Sequence, residues 1–295
     1  MIHKGRPAYI SIEPTTNCNL NCPQCFTSSD NFTRPKGNIA LTTFKEIIQQ
    51  ASPCAFYLNL YFQGEPFLNQ NLIALISLAK QAKFYVSVST NGHYLTENNT
   101  KDLIHAGLDR LIVSLDGTNA ETYTQYRFNG SFDTVVTSIK LLVAEKQKTH
   151  KNNPFIELQF IETKKNENQA KEIKRLAKNL SVDKIKIKSL QLINFEIANE
   201  WLPQVSRYST SNDGKIIIKS KLPNHCSRMW NSCVVTWDGN VIPCCFDKNA
   251  NHIMGNVLNA NLQDIWKDTL YQKFRKKVFS DRKNIEICNN CSEDL

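Results

Sequence analysis

Between Tyr9 and Ser189 strand-like and helix-like patterns alternate six times, and this alternation restricts the fold more than any other feature. Tyr9–Glu13, Phe56–Phe62, Phe84–Ser89, Arg110–Leu115, Phe155–Ile161 and Lys184–Ser189 read as strands, rich in β-branched and aromatic residues. A capping box at Thr43-Phe-Lys-Glu46 opens a first helix that ends before Pro53. Further helical patterns run over Leu72–Ala82, Thr96–Ala106 with Gly107 as its stop, Ala120–Tyr126, Phe132–Lys148 and Glu167–Asn179. Strand, helix and strand in this order make a parallel βαβ unit. A closed eight-unit barrel takes roughly 250 residues, so the roughly 190 present here predict an α/β fold with an open, partial, TIM-like (β/α)6 barrel.

Polar motifs fall just after the strands, where parallel α/β folds bind ligands. Cys18-Asn-Leu-Asn-Cys22-Pro-Gln-Cys25-Phe26 follows the first strand and Gln63-Gly64-Glu65-Pro66 the second. Ser89-Thr90-Asn91-Gly92 ends the third, Ser114-Leu-Asp116-Gly117 ends the fourth, and Asn166 follows the fifth. Three thiolates at this spacing can hold three irons of a cubic [4Fe–4S] cluster, which leaves one iron open to a ligand; most such clusters take four cysteines. At ten cysteines in 295 residues, chance yields this spacing in about one chain in a hundred. A zinc loop or buried structural cysteines are the alternatives.

A second cysteine group reads Cys226-x12-Gly239-x4-Cys244, then Cys288-x2-Cys291. Val234–Ile242 is a hairpin with Asp238-Gly239 as its tight turn. Asn261 to about Val278 reads as one amphipathic helix, with Leu262, Ile265, Trp266, Leu270 and Phe274 on one face. Four thiolates from two local pairs suit zinc and iron–sulfur equally. Cys233 and Cys245 remain as buried residues, substitute ligands or cavity thiols.

Strand parity adds a cavity. Ile10 and Ile12, Phe56 to Phe62 in steps of two, Ile156, Leu158 and Phe160, and Ile185 and Ile187 form apolar faces. The other parity carries Ser11, Glu13, Tyr57, Asn59, Tyr61, Glu157, Gln159, Lys184, Lys186 and Lys188. If helices cover the apolar faces, the polar set points inward and predicts a wet cavity in which Asn59, Tyr61, Glu157, Gln159, Lys186 and Lys188 meet a substrate. Lysines that block aggregation at an edge strand are the competing reading of the last two.

The net charge of +9 comes from lysines scattered among Asn, Glu and Gln, a solvated surface without a nucleic-acid motif. The longest helical apolar stretch, Leu72–Ala79, is far short of the ~20 residues that cross a bilayer. The N-terminus lacks the apolar core of a secretion signal, so a reducing, cytoplasmic setting is expected.

The first cysteine loop resembles the signature of the radical S-adenosylmethionine (SAM) superfamily, CxxxCxxC followed by an aromatic residue, here Phe26. The resemblance implies that Cys18, Cys22 and Cys25 hold a [4Fe–4S] cluster whose open iron binds the amine and carboxylate of SAM. Reductive cleavage then gives a 5′-deoxyadenosyl radical that takes a hydrogen atom from a substrate. Gly64-Glu65-Pro66 matches the core of the family's GGEP motif, with Gln63 in place of its first Gly, and would meet the methionine ammonium. Thr90 and Ser114 would contact the ribose or the carboxylate, Arg127 would pair with that carboxylate, and Asn91, Asp116 and Asn166 would complete the rim.

The later cysteines are similar to the SPASM/twitch extension and match its opening C-x9–15-G-x4-C. They depart from the full seven-cysteine pattern, since the chain stops four residues after Cys291. One auxiliary [4Fe–4S] cluster on Cys226, Cys244, Cys288 and Cys291 is therefore expected. The implied domains are a barrel over 1–190, a bridge over 191–225 and a twitch/SPASM domain over 226–295. The implied activity is oxidation of a substrate carbon, with the auxiliary cluster as electron acceptor and flavodoxin or ferredoxin as reductant. A peptide is the first substrate class, by its frequency among such enzymes; a small hydroxylated molecule such as an aminocyclitol is the second. With a strand by residue 9, no leader-peptide-binding domain is expected before the barrel. A non-catalytic iron–sulfur protein would need no cofactor rim.

Overall fold

The computed structural model describes residues 5–219 and 221–291. Its strands are β1 Tyr9–Ile12, β2 Tyr57–Asn59, β3 Tyr85–Thr90, β4 Arg110–Ser114, β5 Phe155–Glu162, β6 Lys184–Ser189, β7 Tyr208–Thr210, β8 Ile216–Ile218, β9 Ser232–Val235, β10 Asn240–Ile242 and β11 Gly255–Asn256. The helices are α1 Leu41–Ala51, α2 Leu72–Gln81, α3 Glu97–His105, α4 Ala120–Tyr126, α5 Phe132–Lys148, α6 Ala170–Asn179, α7 Ala198–Trp201, α8 Arg228–Asn231, α9 Leu262–Lys267 and α10 Thr269–Asp281. The main sheet has the order β11-β10-β9-β1-β2-β3-β4-β5-β6, and β7 pairs with β8 apart from it. Sequential parallel strands alternating with helices are the partial barrel that the strand–helix alternation predicts. No helix among the described residues is long and apolar enough to cross a membrane.

The chain divides into two compact units, Met1–Asn17 with Phe32–Val86 and Ser220–Leu295, and Cys18–Asn31 with Ser87–Lys219. In the first, β1 lies parallel to both β2 and β9. Ile10, Ile12, Leu58 and Leu60 are buried, as are Phe44 and Ile47 of α1 and Leu75 and Ile76 of α2. Each such side chain contributes about 1.5–3 kcal/mol by leaving water. The predicted hairpin forms: β9 and β10 are antiparallel, and Gly239 takes φ +85° in its turn.

Three expectations need correction here. The helix α1 begins at Leu41 with Ala40 at its N-cap and no side-chain cap, so Thr43 lies inside the first turn and there is no capping box. Its entry is set from outside, by the Ile39 N–H on the Pro14 carbonyl at 2.9 Å and by Thr15 bridging to Asn38. The single helix expected over 261–278 is two: Asp268 has ψ 157° and its Oδ1 accepts from the Leu270 N–H at 2.7 Å, ending α9 and capping α10. Leu270 consequently leaves the apolar face and is exposed, as is Phe56 just before β2.

In the second unit β3, β4, β5 and β6 are parallel neighbours. Val88, Leu111, Val113, Ile156, Leu158 and Phe160 are buried, with Leu103, Ile139 and Ile173 from α3, α5 and α6. Thr96, Asn119 and Ser131 cap α3, α4 and α5 through their side chains. Leu20 and Cys22 join Tyr126, Leu190, Leu192 and Trp201 in a separate apolar cluster. That packing anchors the first cysteine loop.

Candidate active site

The loop over 18–25 is clamped by groups other than its thiols. Gln24 is buried; its Oε1 accepts from the Ile193 and Asn194 N–H groups at 2.7 and 2.9 Å, and its Nε2 donates to the Asn194 carbonyl at 3.0 Å. The Ser28 hydroxyl donates to the Cys22 carbonyl at 2.8 Å, and the Asn21 N–H to the Phe128 carbonyl at 3.1 Å. Cys22 is buried, Cys25 half-buried and Cys18 exposed. Burial pushes the Cys22 thiol up to about 11, against the lowering effect of Arg127. Metal binding must therefore displace its proton. Phe26 opens a short 3₁₀ turn over Phe26–Ser28.

Arg127 links this loop to the strand ends. Its Nη1 lies 3.7 Å from Cys22 Sγ, while Nε and Nη2 contact Asp116 Oδ2 at 2.6 and 2.5 Å. Asp116 is fully buried, and its Oδ1 accepts from the Ile161 N–H at 2.6 Å. Asn166 donates to the Asp116 and Ile161 carbonyls at 2.9 and 3.0 Å and accepts from the Thr163 N–H at 2.7 Å. Both ends of the Asn166 amide thus serve the loops after β4 and β5. Three loop thiols with a guanidinium beside one of them form a donor set that suits an anionic iron–sulfur cluster.

Thr90 and Asn91 end β3. Thr90 Oγ1 accepts from the Gly92 N–H at 3.0 Å, and Asn91 Nδ2 donates to Asn19 Oδ1, inside the cysteine loop, at 2.8 Å. His93, which carried no sequence signal, extends this contact. Its Nε2 accepts from the Ser131 N–H at 2.8 Å, which leaves the ring proton on Nδ1, 3.0 Å from Asn91 Oδ1. Burial holds its pKa below the ordinary 6.5, with Arg127 acting in the same direction. The unfolded chain then takes up the proton first as pH falls. The stabilising contribution of His93 is complete above pH 6.5 and is lost as pH drops through its folded pKa. An NMR titration of His93 should have its midpoint below 6.5, and His93→Gln should flatten the acid limb of the stability profile. A midpoint at or above 6.5 would contradict this wiring.

Ser114 faces Gln159 in the β4–β5 register, and Gln159 faces Lys186 in the β5–β6 register. None of these three side chains makes a hydrogen bond among the described residues. Glu157, one step below, is 1 % exposed and already paired, to Arg110 at 2.6 Å and Lys184 at 4.0 Å. Lys186 and Lys188 are exposed on β6, the last strand in the sheet order.

The first unit holds the GGEP-like turn. Gly64 has φ +72°, and Glu65 donates its N–H to the carbonyl of Asn17, the residue before Cys18, at 2.7 Å. Glu65 is 2 % exposed; Oε1 accepts from the Phe67 N–H at 3.2 Å and caps the 3₁₀ turn over Pro66–Leu68. Glu13, expected to line a cavity, is fully buried in a two-point ion pair with Arg34. Burial raises its pKa against the opposing effect of Arg34, and its Oε2 also accepts from the Trp237 N–H at 3.3 Å. Asn59 donates to Ser11 Oγ at 3.3 Å, and both line a cavity of about 270 Å³ with Arg228, Ser232 and Cys245. Tyr61 lies half-buried just past β2.

Cys226, Cys244, Cys288 and Cys291 line one small pocket in the same unit, with Met229, Phe274, Val278 and Ile287 as its apolar wall. Cys233 and Cys245 do not line it; burial pushes the Cys233 thiol up to about 12. Among the described residues no three His, Cys, Asp or Glu side chains converge on a point as they would around one metal ion. Four thiols lining one pocket are a donor set that an iron–sulfur cluster can use.

Two family models match the chain, one across each cysteine group. The model of the radical SAM superfamily matches residues 12–157, and that of the SPASM iron–sulfur cluster-binding domain matches residues 226–292. A tungsten-containing aldehyde ferredoxin oxidoreductase cofactor-modifying protein of Pyrococcus furiosus is 26% identical over 96% of this chain and 87% of its own length. An S-adenosyl-L-methionine-dependent 2-deoxy-scyllo-inosamine dehydrogenase of Niallia circulans is 24% identical over 96% of this chain and 92% of its own. The structure of Streptococcus suis SuiB bound to precursor peptide SuiA superposes with TM-score 0.71 at 16% identity, over 98% of this chain and 72% of SuiB.

Proposed function

The chain belongs to the radical SAM superfamily and is an enzyme of its SPASM subgroup; from that premise we propose that it oxidises a carbon centre of a polar substrate, with one auxiliary [4Fe–4S] cluster as electron acceptor. When bound, the clusters supply one-electron chemistry: one electron enters to split SAM into methionine and a hydrogen-abstracting deoxyadenosyl group, and one leaves with a proton from the substrate carbon that has lost its hydrogen atom. Cys18, Cys22 and Cys25 would hold the first cluster, and Cys226, Cys244, Cys288 and Cys291 the second. Glu65 offers a buried carboxylate for the methionine ammonium, a charge-assisted contact. Arg127, oriented by Asp116, puts positive charge beside the first cluster and near the SAM carboxylate. Asn91 and Asn166 act as positioning residues, since their side chains hold loops.

The observation that carries this reading is the Asp116–Arg127–Cys22 chain in the same unit as the unbonded row Ser114, Gln159 and Lys186. A buried charge relay on one cysteine suits a cofactor site, and unspent polar groups suit a substrate. We assign Ser114 to SAM and Gln159 and Lys186 to the substrate. The likeness to SuiB supports a peptide substrate. A small hydroxylated substrate is the second reading, supported by the likeness to the 2-deoxy-scyllo-inosamine dehydrogenase.

Gln159→Leu combined with Lys186→Met tests the assignment. Substrate consumption should fall about tenfold or more, the worth of one charged hydrogen bond, while SAM cleavage persists. Loss of both activities together would move the row into the cofactor site or the fold. Parallel assays with peptides and with aminocyclitols decide the substrate class. Zinc in place of the second cluster, found by metal analysis after anaerobic purification, would remove the electron-acceptor role.

A further inference from the structure

Two arginines stand in the wall of the four-cysteine pocket, and a third, Arg275, donates to the carbonyl of Met229, which lines it. Arg282 is fully buried, and its Nη2 donates to Cys291 Sγ at 3.6 Å. Its Nη1 donates to the Pro223 carbonyl at 3.3 Å and to the His225 carbonyl, so the fork also grips the chain just ahead of Cys226. Arg228 lines the same pocket, with Nη1 3.7 Å from Cys245 Sγ. Arg275 is 1 % exposed, 4.0 Å from the Tyr271 ring centre and 4.2 Å from that of Trp266, and its Nη2 has no hydrogen-bond partner among the described residues.

Among the described residues no carboxylate lines this pocket. Its wall consists of thiols, apolar groups and two guanidiniums. Burying a guanidinium is costly unless an anion meets it. Arginine keeps its charge under these conditions, and its planar fork reaches a thiol and two carbonyls together.

We propose that Arg282, assisted by Arg228, is a positioning residue that holds positive charge against the auxiliary cluster and raises its reduction potential. This rests on the reading that the pocket takes a [4Fe–4S] cluster. Such a cluster on four thiolates is anionic, and an added electron makes it more so. A fixed cation favours the reduced form more than the oxidised one, and net charge and hydrogen bonds to sulfur are the terms that set such potentials. The cluster is thereby fitted to accept an electron from a substrate.

The test is a redox titration of the anaerobically reconstituted full chain followed by EPR, taking the signal that added SAM does not alter. Arg282→Gln should lower the midpoint by about 59 mV or more, a tenfold fall in the one-electron equilibrium constant. Arg282→Lys keeps the charge and should recover most of that shift. Arg228→Gln, at a partly exposed position, should shift the midpoint the same way by less. An unmoved midpoint in Arg282→Gln at full iron content would overturn the proposal. Should that variant not fold, an unmoved midpoint in Arg228→Gln overturns it equally. Zinc, or only one cluster's iron, in the unaltered protein would instead remove the reading on which the proposal rests.

Discussion

Replacing Cys18, Cys22 and Cys25 together by alanine should abolish SAM cleavage and leave about four of about eight irons per chain. On the proposed assignment, loss of these thiolates removes the ligands of one cluster and leaves the four thiols assigned to the other. The fold should survive, because the loop's shape rests on Gln24, Ser28 and Asn21 and on burial of Leu20. Circular dichroism and iron analysis should therefore separate loss of chemistry from loss of structure. Deoxyadenosine formed by the triple variant above the uncatalysed background would show that SAM cleavage does not depend on this loop. Loss of all the iron would show that the two sites are not independent.

Gly64→Ala should destabilise the protein by roughly 2–5 kcal/mol, from left-handed backbone strain together with overpacking. An added Cβ would lie 2.6 Å from the Thr15 carbonyl oxygen, 2.7 Å from that of Asn17 and 2.8 Å from the Thr16 carbonyl carbon. All three are backbone atoms, which cannot swing aside as a side chain can. They also lead directly into Cys18, so occupancy of the first cluster should fall with stability. Denaturant unfolding and iron analysis measure the two effects. Glu65→Gln is the control: it should keep the turn and both clusters but weaken SAM binding, by removing the charge proposed to meet the ammonium. If Gly64→Ala unfolds at the wild-type midpoint, the strand end yields more easily than its contacts imply.

Much of this was legible in the residues because it is local. The bounds of α4, α5 and β6 follow from periodicity. The turn at Asp238-Gly239 follows from dipeptide chemistry. Cysteine spacing alone marked out both thiol groups, and parity alone set Gln159 and Lys186 on one face. The two failures differ in kind. The capping box at Thr43 lost to a distant partner, the pairing of Ile39 with Pro14, whereas the helix over 261–278 broke at a local signal that the apolar periodicity hid, Asp268 capping a second helix.

The sequence by itself determined the order of strands and helices, the two thiol groups and the motifs after the strands, because side-chain period, turn chemistry and ligand spacing are short-range properties. Only the tertiary structure decided what those motifs face. Gln24 finds Asn194 across 170 positions, β1 finds β9, Glu13 finds Arg34, and Arg282 finds Cys291 beside the chain leading to Cys226. No periodicity encodes such pairings. They follow from burial, since each polar group removed from water must meet whichever partner the packed chain brings within reach.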